Sequence, residues 1–182
     1  LRMNIWPVDS REINVRAKNW QFSFNYSYED KTFSVKDTLV VPIDEPIKLI
    51  MSAERSSFIH SLFIPDFRVK QDIMANRYSQ MWFIANTEGV YDYYCAEYCG
   101  DGHSNMNGKV IVMNKEDYHE WYIKRIEKQK ESLTFTGAEL GQYLYKEYAC
   151  NTCHSMEKNK IIKGPSFRNL WGSKVEHTDK SS

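Results

Sequence analysis

Between Ile13 and about Met113 the chain keeps returning to short apolar or alternating runs. "EINVRA", "FSFNYSY", "TFSV", "TLVVPI", "IKLIMSA", "QMWFIAN" and "GKVIVM" are separated by turn-forming stretches such as "SYEDKT", "DEP" and "TEG". An apolar residue at every second position buries one face of a strand but gives a helix no continuous stripe. Several such strands at this spacing predict an all-β sandwich or barrel of about a hundred residues. The aromatic content of 14% points the same way, because aromatic side chains suit a pleated, half-buried surface.

After Met113 the period changes. Asn114 and Asp117 can cap a helix over about 115–126, with Tyr118, Trp121, Tyr122 and Ile126 as its apolar residues. The stretch "KRIEKQKES" is charged and polar, so 125–133 reads as a solvated helix end or linker. A second helix is expected from Thr136, where "TGAE" offers a capping box with Thr136 at the N-cap and Glu139 at N3. Leu140, Tyr143, Leu144 and Tyr148 then fall on one helical face. The chain is therefore expected to hold a β-domain over 1–124, the charged linker, and a small helical domain over 134–182.

Charge excludes one broad class of partner. With 24 basic and 24 acidic residues the net charge is zero, so no bulk field favours nucleic acid. No run approaches the ~20 apolar residues of a membrane-crossing helix, and no signal-peptide pattern is present. The sequence opens on Leu1 and stops at "HTDKSS", and is read as a fragment of a longer protein.

The cysteines fall in two tight pairs, Cys95 with Cys99 and Cys150 with Cys153, which argues for metal or cofactor binding rather than a disulfide framework. The second pair sits in "CNTCH", Cys150 to His154. Two thiols three residues apart can bond both vinyl groups of one haem, with the adjacent histidine beneath the iron. A zinc or redox pair beside an accidental histidine is the competing reading. "GQYLYKEYACNTCHS" followed by "GPSFRNLWG" resembles class I cytochromes c in their first helix, haem site and following loop. That resemblance implies haem attachment at Cys150 and Cys153, axial ligation by His154, and a hydrogen bond from His154 to the carbonyl of Pro165 as an outer support. The family's distal methionine lies further on than this chain extends. Met156 is too close to His154 to reach the opposite haem face, and His177 reads as an exposed loop residue. The haem domain is thus expected to be truncated.

The first pair lies in "YCAEYCGDGHSNM", which puts two cysteines, a histidine and a methionine into thirteen residues. A structural zinc could use Cys95, Cys99, His103 and a fourth ligand, but Met106 is a thioether, which suits a soft copper site. A single blue copper needs one cysteine, and two bridged coppers would use both. A second histidine is wanted from elsewhere. His60, in "RSSFIHSLFIPDF", is the histidine flanked by apolar residues on both sides, 35 residues before Cys95.

H-S-x-x-x-P followed at that distance by C-x-E-x-C-x-x-x-H-x-x-M resembles the binuclear copper (CuA) domain of cytochrome c oxidase subunit II. The resemblance covers most of residues 13–124 and implies a cupredoxin-like fold. It implies that Cys95 and Cys99 bridge two coppers, that His60 and His103 each bind one, and that Met106 and the carbonyl of Glu97 are weak ligands. The Glu97 side chain would face the catalytic subunit near a magnesium ion. "NWQFSFNYSYED" matches an aromatic stretch of that family, which makes Trp20 the residue through which electrons arrive; packing alone is its competing reading. Phe22 and Phe24 stand where the family more often has Trp and Tyr.

With haem c behind copper, the order implied is external donor, haem c, copper pair, then the haems of a haem-copper catalytic subunit that reduces oxygen, as in caa-type oxidases. The external donor would be a cytochrome c or a quinol–cytochrome c reductase complex. The expected location is the periplasmic face of a bacterial inner membrane, anchored by a missing N-terminal helical segment. A nitrous oxide reductase carrying the same copper motif, and a zinc-stapled module without redox function, are the alternatives.

Overall fold

The computed structural model describes residues 6–28, 31–55, 57–148, 150–158 and 160–168. The chain divides into two units, Leu1–Gln129 and Lys130–Ser182.

In the first unit the period-two pattern becomes ten strands: β1 (Arg11–Lys18), β2 (Gln21–Tyr28), β3 (Lys31–Lys36), β4 (Thr38–Pro42), β5 (Pro46–Ala53), β6 (His60–Ile64), β7 (Val69–Ile73), β8 (Ser79–Ile84), β9 (Gly89–Cys95) and β10 (Asn107–Met113). They form two five-stranded sheets, ordered β3-β2-β1-β5-β8 and β4-β10-β9-β6-β7. β1 runs parallel to β5, β4 runs parallel to β10, and the other pairings are antiparallel. Ile13, Val15, Phe22 and Phe24 of the first sheet and Leu39, Leu62, Ile64, Tyr93 and Val110 of the second are buried in one core.

Three strands are not apparent in the alternation. β6, "HSLFI", is buried at all but one position, so it has no polar face to mark its period. β7, "VKQDI", buries only its two ends, and β9, "GVYDYYC", carries Asp92 among its aromatics.

Tyr26 joins the two sheets. Its ring stacks on Phe33 with centroids 5.0 Å apart. Its hydroxyl accepts from the Val40 N–H at 2.8 Å and donates to the Val40 carbonyl at 3.1 Å. β4 is the outermost strand of its sheet, so a side chain from the facing sheet satisfies a backbone pair that would otherwise be left open. Burial raises the Tyr26 phenol well above its ordinary range, which keeps the proton needed for that bond.

The first helix, α1 (Lys115–Thr134), is longer than the expected 115–126. Asn114 caps it as read, accepting from the Asp117 N–H at 2.8 Å. Tyr118, Tyr122 and Ile126 are buried, and Trp121 meets Tyr26 edge-on at 5.3 Å. The segment 125–133, read as a solvated helix end or linker, continues the helix. Its Glu, Lys and Gln residues are good helix formers, so the helix can run on without an apolar stripe. Lys124 adds an ion pair one turn back to Glu120 at 2.5 Å.

In the second unit α2 (Gly137–Glu147) leads into a tight turn at Cys150–Thr152. Thr136 occupies the N-cap, but its side chain makes no capping bond. The Glu139 N–H donates to the Thr136 carbonyl instead, at 3.2 Å, next to a left-handed Gly137 at φ +52°.

Tyr26→Phe is expected to cost about 1–3 kcal/mol, because the Val40 N–H stays buried without its acceptor. Urea unfolding of the metal-free chain measures this, and an unchanged midpoint would mean that the hydroxyl contributes nothing to the join between the sheets.

Candidate metal centre

One end of the sandwich gathers the sulfur and imidazole groups. Cys95 ends β9 opposite Leu62 of β6, so His60, two residues along β6, is its diagonal neighbour. The Cys95 Sγ lies 4.0 Å from His60 Nδ1 and 3.8 Å from Cys99 Sγ. His60, Cys95 and Cys99 each offer a ligand atom within 4.8 Å of the others. On the far side, Cys99 Sγ lies 3.6 Å from His103 Nδ1 and 3.8 Å from Met106 Sδ. The Cys95 thiol donates to the Glu97 carbonyl at 3.3 Å, while the Glu97 side chain is exposed. The cluster therefore has two central sulfurs, an imidazole on each side, and a thioether and a carbonyl at the rim.

The loop between β9 and β10 holds this shape through its backbone. Cys95 N–H donates to the Met106 carbonyl at 2.9 Å and closes the loop at its neck. His103–Asn105 form a 3-10 turn, with the His103 N–H donating to the Gly100 carbonyl. The Trp20 indole N–H donates to the Cys99 carbonyl at 2.6 Å. A side chain at Gly102 would run into the indole ring, so glycine there lets Trp20 lie flat on the loop.

Both central thiols are free. Burial pushes the Cys99 thiol up to about 12, and the neighbouring Cys95 adds to the shift. The His60 imidazole is lowered, first by burial and then by the positive charge available to His103. Without metal, burial thus favours the neutral forms of the Cys99 thiol and the His60 imidazole, and a cation entering the site would replace thiol protons. Two thiolates, two imidazoles and a thioether form a soft donor set that fits copper better than zinc.

The second unit places its own group of residues together. His154 Nδ1 donates to the Pro165 carbonyl at 2.8 Å, which leaves Nε2 as the free lone pair. Phe167 lies nearly parallel to the imidazole, with centroids 4.2 Å apart. The Tyr145 hydroxyl donates to the His154 carbonyl at 2.5 Å. Beside it runs an apolar groove of ≈ 760 Å³, lined by Leu144, Tyr145, Tyr148, Cys150, Met156 and Phe167. Cys150 and Cys153 are both free and half-buried. His177 lies outside the described residues, as does the end of "GPSFRNLWG".

Sequence reasoning picked out the side chains that cluster here because four of them fall within one short stretch. It missed Asn19 and Ser57. Ser57 Oγ sits 2.5 Å from His60 Nε2 and donates to Asn19 Oδ1 at 2.8 Å. A serine three residues before a histidine carries no special signal.

Two five-stranded sheets with a cysteine–histidine–methionine cluster at one end make a cupredoxin-like domain whose clustered side chains could hold a soft metal. The family model for the periplasmic domain of cytochrome c oxidase subunit II matches residues 26–115, which lie within the β-domain. Cytochrome c oxidase subunit 2 of Alkalihalophilus pseudofirmus is 27% identical over 163 residues, covering 90% of this chain and 47% of the relative. Heme-copper oxidase subunit 2 of Aeropyrum pernix is 38% identical over 119 residues, 64% of this chain and 50% of the relative. The chain spans about half the length of these relatives. The crystal structure of the periplasmic domain of subunit II of cytochrome oxidase of Bradyrhizobium japonicum shares the fold at a TM-score of 0.63 and 23% identity, over 68% of this chain and 99% of that one.

The raised Cys99 thiol makes metal-free stability fall with pH. The folded state holds this proton more tightly than the unfolded state. Its contribution is complete below the ordinary thiol value of 9.0 and is lost as pH climbs toward about 12. Cys99→Ser should flatten the stability curve above pH 9.0, compared with the parent chain at each pH. The buried tyrosines titrate in both proteins, so the difference between the curves isolates the thiol. Parallel curves would show that Cys99 titrates normally.

Proposed function

We propose that the β-domain holds two copper ions between Cys95 and Cys99 and relays electrons for a terminal respiratory oxidase. The observation that carries this reading is the pair of sulfurs 3.8 Å apart with an imidazole on either side. His60 and His103 would each hold one copper, and Met106 and the Glu97 carbonyl would be weak rim ligands. Held by these two thiolates, such a pair would supply one-electron redox chemistry spread over both metals. The rigid strands keep the donors in one geometry in both oxidation states, which suits relay rather than bond chemistry. The exposed Glu97 carboxylate is free to meet a magnesium ion at the catalytic subunit.

Trp20 is where electrons would arrive. It is 38% exposed and its indole N–H is bonded to the backbone of a proposed bridging residue. Phe58, 55% exposed, flanks the same glycine, Gly100, as Trp20. We read these two neighbouring aromatics as part of the face that would meet the electron donor.

The second unit is read as the first part of a c-type haem domain. Support comes from the His154–Pro165 hydrogen bond, which leaves Nε2 for an iron, and from the groove that Cys150 lines. An alignment covering 90% of this chain also extends past the β-domain, which ends at Gln129. A donor carried on the same chain raises its effective concentration at the copper without a strong interface. The oxygen-reducing partner subunit, a cytochrome c or quinol–cytochrome c reductase donor, a membrane anchor outside this chain and a periplasmic setting complete the proposal.

Electron paramagnetic resonance of the copper-loaded chain tests it, with hyperfine structure from one electron shared equally by two copper nuclei as the expected result. A single-copper pattern would overturn it. Cys99→Ser should abolish the shared-electron signal and leave any haem spectrum intact. Haem attachment is tested separately: after expression with a haem-attachment system, the pyridine haemochrome should show two thioether bonds, and Cys150→Ala should reduce them to one.

A further inference from the structure

The turn between β1 and β2 is two residues long, Asn19 and Trp20, because Lys18 still pairs with Gln21. Trp20 reaches the Cys99 carbonyl on one side of the sulfur pair. Asn19 reaches the other side through Ser57, whose Oγ lies 2.8 Å from Asn19 Oδ1 and 2.5 Å from His60 Nε2.

The direction of each bond in this chain follows from the donors. The Phe58 N–H can only donate, and it points at Asn19 Oδ1 at 3.4 Å, so that atom is the amide oxygen. Ser57 has one hydroxyl proton and gives it to the same oxygen. Toward His60 the serine therefore has only lone pairs to offer, and His60 Nε2 must carry the proton. His60 Nδ1, which faces Cys95 Sγ, is then the free lone pair. His60 has no exposed surface, so a wrong tautomer could not be corrected by rotating the ring toward water.

The loop that carries Ser57 is itself tied to the end of β1. Ser57 N–H donates to the Glu54 carbonyl, and Glu54 N–H to the Ala17 carbonyl, both at 2.9 Å.

We propose that Asn19 and Ser57 are positioning residues that fix His60 in its Nε2-protonated tautomer and so hold Nδ1 ready for a metal. The proposal rests on the reading of His60 as a copper ligand, but its first test needs no copper. In the full metal-free chain under reducing conditions, ¹⁵N chemical shifts of His60 should report the Nε2-protonated form. Ser57→Ala should give a mixture of tautomers, and Ser57→Thr should restore the parent shifts. Asn19→Leu, at an exposed position that leaves folding intact, should loosen the preference, and Asn19→Asp, which keeps an acceptor oxygen, should retain it. After copper loading, loss of copper to a chelator should be about tenfold faster in Ser57→Ala. Because both residues act along one path, Asn19→Leu should add little in the double variant. Unchanged histidine shifts in Ser57→Ala, or additive effects in the double variant, would overturn the proposal. Altered shifts in a chain whose parent never binds copper would instead sink the reading of the site and leave the tautomer control standing.

Discussion

Two buried thiols held 3.8 Å apart set the terms for the rest of this molecule. The two sulfurs are not bonded to each other, and two thiolates this close would repel without a cation between them. Burial holds Cys99 as a neutral thiol in the metal-free chain, so the two sulfurs can stand side by side without a metal, and a soft metal bound there would take the protons' place. The scaffold cannot rely on the metal to build the site. The β9–β10 loop is closed by backbone hydrogen bonds that do not depend on it, from Cys95 to Met106 and from His103 to Gly100. The sandwich supplies stiffness, and His60 comes from a strand buried at nearly every position.

The parts of this structure that are legible in the sequence are those in which one residue type has one physical use. Alternating runs such as "EINVRA" and "IKLIMSA" became β1 and β5, with the buried residues on the expected face. The clustered ligands were visible for the same reason, since two cysteines, a histidine and a methionine in a short loop have few shared uses. β6 was hidden because burial on both faces erases its period, although its histidine could be found from its apolar flanks. The helical state of 125–133 was hidden because a run of Lys, Glu and Gln looks the same whether it is coil or solvated helix. Asn19 and Ser57 were out of reach, being ordinary polar residues whose contact exists only once the β1–β2 turn meets the β5–β6 loop.

The second unit shows a related limit. The residues of "CNTCH" were recognisable, and so was the proline that accepts from His154. Phe167 and Tyr145 were not, although one stacks on the imidazole and the other bonds to its backbone. Motifs record the atoms that do the chemistry, whereas the groups that orient those atoms depend on packing and can be drawn from many residue types.

The brevity of the Asn19–Trp20 turn limits how this site can be moved. Transplanting the loop from Cys95 to Met106 into another β-sandwich, with a histidine placed on the adjoining strand, would carry the donor atoms. It would leave behind Asn19, which holds Ser57 against the imidazole, and Trp20, which covers the loop, both from a hairpin far upstream. A graft of that kind would have the composition of the centre without its rigidity. Lengthening the native hairpin by one residue would have the same effect from the opposite direction, by pulling both contacts out of register at once. The proposed metal site is thus bounded by a turn that would contribute no ligand to it.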